Sequence, residues 1–243
     1  MVDSLGPVTS AQHLSNLIPR VAEAVAQMQV INEEVLRVTF AHQAFSYCGY
    51  VLRSTSTADM FHKSRKCKRI STFWSHSWHG RAWQKHLTLI TFYNSRAAIS
   101  LGTLGALVMM VLHAFGYVPE IVREFSNSVP FVASLITVLA LLLWRPTEQV
   151  FLDRICISSD GQLKTDAIFS LAGFLKQSDH MLILWDPSWT QRLWCLFEFA
   201  AYLKSKESTA KQLTIRPTII GGVSIGCFIL FAFMALAMTT VPH

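Results

Sequence analysis

Residues Val150–Trp185, VFLDRICISSDGQLKTDAIFSLAGFLKQSDHMLILW, decide the architecture. The run Val150–Ile157 is apolar and rich in branched side chains, as expected of a strand. Ser158–Gly161 supplies polar, turn-forming residues able to cap a following helix. In that helix Leu163, Ala167, Ile168, Leu171, Phe174 and Leu175 recur near a 3.6-residue period and share one face. Met181–Trp185 is continuously apolar, the pattern of a parallel strand covered on both faces. A strand, a helix and a strand within 36 residues make an ordinary βαβ crossover. A second helix is expected over Gln191–Ser205, and one more short strand at Leu213–Ile215. The chain reads as α/β.

Outward from this unit the composition changes. Hydrophobic residues make up 51% of the chain and charged residues only 15%, against roughly 25% charged in an average soluble domain. The deficit is concentrated in three windows without Lys, Arg, Asp or Glu: Ala97–Phe115, Ser126–Trp144 and Pro217–His243. A bilayer core needs about 20 apolar residues in a helix, because lipid offers the backbone no hydrogen-bond partners. The windows predict transmembrane helices over 97–115, 126–144 and 218–238. Buried helices of a soluble α-protein are the alternative. The first 30 residues show neither a basic start nor an apolar block, so the first span is expected to act as the insertion signal.

The net charge of +6 is distributed by segment rather than clustered for nucleic acid, which is not expected as a partner. Residues 1–96 carry 11 Lys/Arg and residues 145–216 carry 9, whereas the connector 116–125 carries only Arg123. The positive-inside rule then puts both basic segments in the cytosol, with the connector and the Thr239–His243 tail on the far side. The chain is therefore expected to be a multi-pass integral membrane protein. Aromatic residues near the span ends (Phe92, Tyr93, Phe115, Tyr117, Trp144) agree with interfacial placement. The five cysteines are scattered without a CxxC pair, which argues against a disulfide framework or structural zinc.

Residues 1–52 form an N-terminal region expected to be helical over 10–52, with Leu14, Leu17, Ile18, Val21, Val25 and Met28 near a helical period. Residues 53–70 read as a flexible polar linker ending in a basic cluster. Its Lys63, Arg65, Lys66, Lys68 and Arg69 suit anionic lipid headgroups, or simply a solvated surface. In the third span Gly222 and Gly226 have the GxxxG spacing that lets helices associate in lipid.

Three elements together resemble a known family. The order FLDR (Phe151–Arg154), helix, MLILWDPSW (Met181–Trp189) and RLWCLFEFA (Arg192–Ala200) resembles the Toll/interleukin-1 receptor (TIR) domain, most closely the plant-immune type with its W-C-x-x-E helix. Upstream, TFWSHSWHGR (Thr72–Arg81) is similar to that family's first strand and following loop, and Trp83–Phe92 to its first helix. The resemblance covers about 70–95 and 150–216. It implies a flavodoxin-like parallel sheet, split between 71–96 and 145–216 by the membrane hairpin. The interrupted, membrane-embedded arrangement is similar to TIR-like proteins abundant in dinoflagellate algae. Because the third span follows Leu213–Ile215, the family's fifth strand and last helix are expected to be missing.

Catalytic TIR domains cleave the nicotinamide–ribose bond of NAD with a glutamate in the W-C-x-x-E helix. By resemblance that residue is Glu198, and NAD is the implied substrate rather than a resident cofactor. A carboxylate can stabilise the positive charge that builds on the ribose. A Glu on the solvated face of an amphipathic helix is the competing reading, and the motif brings the two level. Ser75, His79 and Arg81 match the loop near the nucleotide, with Arg81 a phosphate contact. Trp185 and Trp189 are candidates for stacking on adenine, with core packing the commoner role. Asp153 and Arg154 match the entry to the family's assembly loop, or form a surface ion pair. His76 and His79 lack a third ligand, so no metal is expected. Cys195 reads as a buried thiol. Self-association through the TIR-like domain and third span is expected. Three classes follow: a membrane-tethered NAD glycohydrolase, a non-catalytic TIR-like interaction module, and an oligomeric channel component. The channel ranks last, since only His113 is ionisable within the spans.

Overall fold

The computed structural model describes residues 27–53, 60–118, 128–205 and 212–239. Its centre is a six-stranded sheet of β1 (Arg37–Phe40), β2 (Arg65–Lys66), β3 (Ile70–His76), β4 (Gln149–Phe151), β5 (Ser178–Trp185) and β6 (Gln212–Pro217), in the order β2-β1-β4-β3-β5-β6. The two halves of the expected split sheet meet: β3 pairs in parallel with β4 (Thr72 beside Val150) and, on its other side, with β5 (Trp74 beside Leu182). β6 continues the parallel part beyond β5. The core is aromatic at the β3–β4 seam, where Phe73 stacks on Phe151 at 4.9 Å and Phe151 meets Phe174 at 5.3 Å. Such pairs add about 0.5–1.5 kcal/mol beyond the area they bury.

The sheet is mixed, not purely parallel. β1 runs antiparallel to β4, and β2 antiparallel to β1. This corrects two expectations. The N-terminal region is not helical through residue 52: Arg37–Phe40 is a strand, with Val38 and Thr39 fully buried. The free edge of β4 needs backbone partners, and β-branched residues supply them better than helical periodicity predicts. Nor is 53–70 wholly a linker, because Arg65 and Lys66 pair with β1 and Ile70 opens β3. The basic cluster is largely engaged within the protein. Arg65 lies 3.8 Å from the Phe40 ring centroid, Lys66 pairs with Glu34, and Arg69 Nε donates to Asp179 Oδ1 at 2.7 Å. Residues 10–26 lie outside the described residues.

The helices are α1 (Ala41–Gly49), α2 (Ala82–Ala114), α3 (Ser128–Leu143), α4 (Asp153–Cys156), α5 (Gly161–Phe169), α6 (Leu171–Lys176), α7 (Leu193–Lys204) and α8 (Ile219–Thr239). The strand expected over Val150–Ile157 stops at Phe151. A helical turn follows because the Leu152 carbonyl collects the N–H groups of Ile155 (2.9 Å) and Cys156 (2.8 Å). The crossover helix is divided at Ser170 into α5 and α6.

The segments expected separately as a first domain helix and a first span are one unbroken helix of 33 residues, α2, roughly 50 Å long at 1.5 Å per residue. Its inward stripe is Lys85, Thr88, Leu89, Ile90, Asn94, Ala98 and Gly102. Beyond that, Leu104, Leu107, Val108, Met110 and Val111 face outward. Asn94 Nδ2 donates to the carbonyls of Leu141 (2.8 Å) and Trp144 (3.2 Å). It thereby satisfies acceptors that the end of α3 leaves orphaned. α8 begins one residue after β6 and locks at once onto α2. Thr88 Oγ1 donates to the Thr218 carbonyl (2.8 Å) and accepts from Gly221 N–H (3.2 Å). A Cβ at Gly221 would stand 2.1 Å from Thr88 N, so only glycine permits this approach. Within the chain, then, Gly221 makes the close contact. A Cβ at Gly222 would stand 3.3 Å from the Trp83 ring, and one at Gly226 would meet nothing within 4 Å.

Among the described residues α2 alone is both long and apolar enough to cross a membrane. The described apolar parts of α3 and α8, Val129–Leu143 and Ile219–Met234, are shorter. Among the described residues, then, one helix meets the length and composition of a span where the charge-free windows predict three. The first turn and a half of α8 packs beside the domain end of α2, which shortens the stretch left below it. Most of the expected connector 116–125 and most of the tail fall outside the described residues.

Candidate functional site

Because β3, β4 and β5 are parallel, their C-terminal ends meet at one edge, with the loops after His76, Phe151 and Trp185 side by side. Ligands of parallel α/β sheets bind outside this edge. α7 lies against it with Cys195, Glu198, Ala201 and Tyr202 buried at helical spacing. Glu198 therefore occupies an apolar stripe, and its residue is only 4% exposed. Ser75 Oγ donates to Glu198 Oε2 at 2.6 Å and accepts from Trp189 Nε1–H at 3.2 Å. Burial pushes the Glu198 carboxyl well above the usual range; the Ser75 hydrogen bond opposes this, and the nearby Asp153 charge reinforces it. Three of the residues predicted from sequence are thus joined in one buried relay, Trp189–Ser75–Glu198.

The other two are not. His79 and Arg81 are exposed and line a separate groove of about 560 Å³ with Arg53, Trp78 and Trp83. Trp189 is buried and meets Phe199 edge-on at 6.2 Å, so it packs in the core rather than offering a face for stacking. Trp185, at the end of β5, is 40% exposed. His76 is buried while His79 is exposed, so the two do not share a site.

Beside the relay lies a cleft of about 590 Å³ whose lining includes Trp78, Asp153, Arg154, Lys164, Arg192 and Trp194. Its inner wall is formed by His76, next to Ser75, and by Trp194 and Cys195, about one turn before Glu198. Glu198 itself does not line the cleft. The Arg154 guanidinium lies 4.8 Å from the Trp78 ring centroid, and Arg154 N–H donates to Asp153 Oδ1 at 2.7 Å. Burial raises the Asp153 carboxyl to about 6, against the pull of the Arg154 N–H and charge and of a hydrogen bond to Trp78. Burial holds His76 down to about 3, helped by Lys85 and Arg154, so its ring stays neutral, and its Nε2 has no hydrogen-bond partner. The Cys195 thiol is pushed up to about 12 by burial and by Glu198. It donates to the His76 carbonyl at 3.6 Å as a structural thiol, not a thiolate nucleophile.

A second buried polar group underlies the loop after β3. Lys85 is fully buried, with its Nζ on the Ser77 carbonyl. Burial lowers its pKa, while Asp186 pulls it back up. Asp186 Oδ1 accepts from Ser188 N–H at 2.8 Å, and its buried Oδ2 has no hydrogen-bond partner. A Cβ at Gly80 would fall 2.2 Å from that Oδ2, so the loop folds directly over the carboxylate. Sequence reasoning missed Trp78, Lys164, Arg192, Lys85 and Asp186 as parts of this edge. The only available signal was their position next to strand ends or, for Lys85, a charge on the inward stripe of α2. Comparison of the chain with protein-family models, with curated proteins and with solved structures yields no match.

Proposed function

We propose that this chain is a membrane-anchored, multi-pass, TIR-like signalling protein whose flavodoxin-like body faces the cytosol and cleaves NAD at the nicotinamide–ribose bond. The observation that carries the reading is the Trp189–Ser75–Glu198 relay at the carboxyl ends of β3 and β5, one wall away from a cleft of nucleotide size. Arg154, Lys164 and Arg192 supply charge for a diphosphate, and Trp78 and Trp194 supply faces for the rings. In the reaction the C1′–N bond breaks, its electron pair leaves with nicotinamide, and water adds to C1′ and releases a proton to solvent. A pyridinium bound in the cleft, across the wall of His76 and Cys195 from Glu198, favours the ionised carboxylate and counters the burial that keeps it neutral. The ionised form then stabilises the ribosyl cation.

One observation favours a second reading, a non-catalytic module acting through self-association: Glu198 is 4% exposed and forms no part of the cleft wall. Incubating the full chain, reconstituted in liposomes, with NAD and measuring free nicotinamide separates the two. Release above that of protein-free liposomes supports cleavage. No release, even after the chains are clustered, rejects cleavage and leaves the interaction module.

A further inference from the structure

The junction between the sheet body and the helices holds a cavity that the relay does not use. It encloses about 390 Å³ between α2, β6 and the start of α8 and is lined by Arg96, Arg216, Glu148, Thr91, Ser95 and Phe92, among others. Arg96 stands immediately before the charge-free stretch of α2, and Arg216 immediately before Pro217 at the entry to α8. The Arg216 guanidinium lies 5.2 Å from the Phe92 ring centroid. Among the described residues neither arginine donates a hydrogen bond to a protein acceptor. Glu148 is engaged by the Thr72 hydroxyl, and its charge offsets one of the two cations. The cavity keeps a net charge of about +1, the complement of a phosphodiester rather than a doubly charged phosphate monoester.

One turn further along, the same face carries a notch of only about 20 Å³, too small for an acyl chain, but beside it Ile99 and Phe228 turn outward, 56% and 41% exposed. Thr91 and Ser95 line both spaces, and below them come Ile99, Leu141, Ile225 and Phe228 from three helices. Two arginines that donate no hydrogen bond among the described residues, above an outward apolar face, match the amphipathic profile of a phospholipid. We propose that this junction binds one phospholipid, its phosphodiester between Arg96 and Arg216 and an acyl chain against the outward-facing side chains of Ile99 and Phe228. The proposal rests on the reading of α2, α3 and α8 as membrane helices. It is distinct from the basic cluster 63–69, much of which is engaged within the protein.

The test is native mass spectrometry of the full chain released from detergent, titrated with dioleoyl phosphatidylglycerol. One lipid per chain is expected. Each arginine near an anionic lipid contributes about fivefold in affinity, so R96Q/R216Q should bind roughly 25-fold more weakly. Phe228→Ser, which removes part of the outward apolar face, should also weaken binding. Arg145→Gln, at the same boundary but outside the cavity, should not. Equal binding by R96Q/R216Q and parent overturns the proposal. Displacement of the lipid by inorganic phosphate at matched concentration also overturns it, since the acyl chain would then contribute nothing. Flotation of the parent with liposomes is scored separately. A chain that does not float sinks the membrane reading itself, whereas a chain that floats but ignores the arginine substitutions sinks only this site.

Discussion

The two bodies of this protein are organised in opposite senses. The α/β body hides ionisable groups: Lys85, Asp186 and Glu198 are all buried. The three-helix body displays apolar ones, with Leu104, Leu107, Met110, Phe131, Leu142, Phe231 and Phe233 all exposed. A buried charge is costly unless it has a task or a partner. An exposed apolar surface of this extent is costly in water and costs nothing in hydrocarbon. Helix α2 passes from one regime to the other without a break, so one continuous backbone carries both side-chain patterns.

The largest expected effect tests the first regime. Glu198→Gln keeps the shape and can still accept from Ser75. If the buried carboxylate is there to stabilise a ribosyl cation, nicotinamide release falls on the order of 10²–10³-fold. Unchanged release would reduce Glu198 to a core residue. Glu207, the matching control, lies outside the described residues and should tolerate Gln. The second regime is tested by Leu107→Lys, near the middle of the first charge-free window. A lysine at the centre of a membrane helix costs about 2.5–3.5 kcal/mol, so flotation with liposomes should drop sharply. If the outward face sits in water, the substitution is silent and the contrast between the two bodies collapses.

The joint between the bodies comes next in size. Gly221→Val drives a Cβ into the backbone of Thr88 and should cost about 1–3 kcal/mol in denaturant unfolding of the detergent-solubilised chain. Gly226→Val, whose Cβ meets nothing, should stay within about 0.5 kcal/mol of the parent. Equal effects would show that α8 does not dock as described. The smallest effect sharpens the electrostatics of the cleft. Burial raises Asp153 to about 6, so the folded state holds this proton more tightly than the unfolded chain. The resulting stability is present at low pH and is lost as pH rises through about 6. Asp153→Asn should therefore stabilise the protein on the order of 1 kcal/mol at pH 7.5 and leave it unchanged near pH 4. A gain that is the same at both pH values would remove titration as the cause.

The βαβ unit was legible because its signals are local. Met181–Trp185 is apolar at every position, and only a strand covered on both faces uses such a run. The pairing of Thr72 with Val150 across the long insertion also followed, since two parallel runs flanking a hairpin are returned to the same side. Glu198 could be named from its motif, and its neighbour Ser75 from the polar loop. That Ser75 donates to Glu198, while His79 and Arg81 open onto another groove, depends on how the loop after His76 turns over Asp186. Nothing in the spacing of those residues encodes that turn.

What the sequence determined by itself was chemical class and partition: an α/β body rich in mixed charge, and apolar stretches that cannot be satisfied by water. Those properties are additive along the chain, so counting residues recovers them. Tertiary structure alone decided the rest. β1 is a strand because the edge of β4 needs partners, although its flanks carry a helical period. α2 is continuous because Asn94 and Thr88 tie its middle to the end of α3 and the start of α8. Arg96 and Arg216 share a cavity only because β6 delivers its last residues beside α2. Each of these depends on atoms far apart in the chain, whose meeting is a property of packing and not of any local pattern.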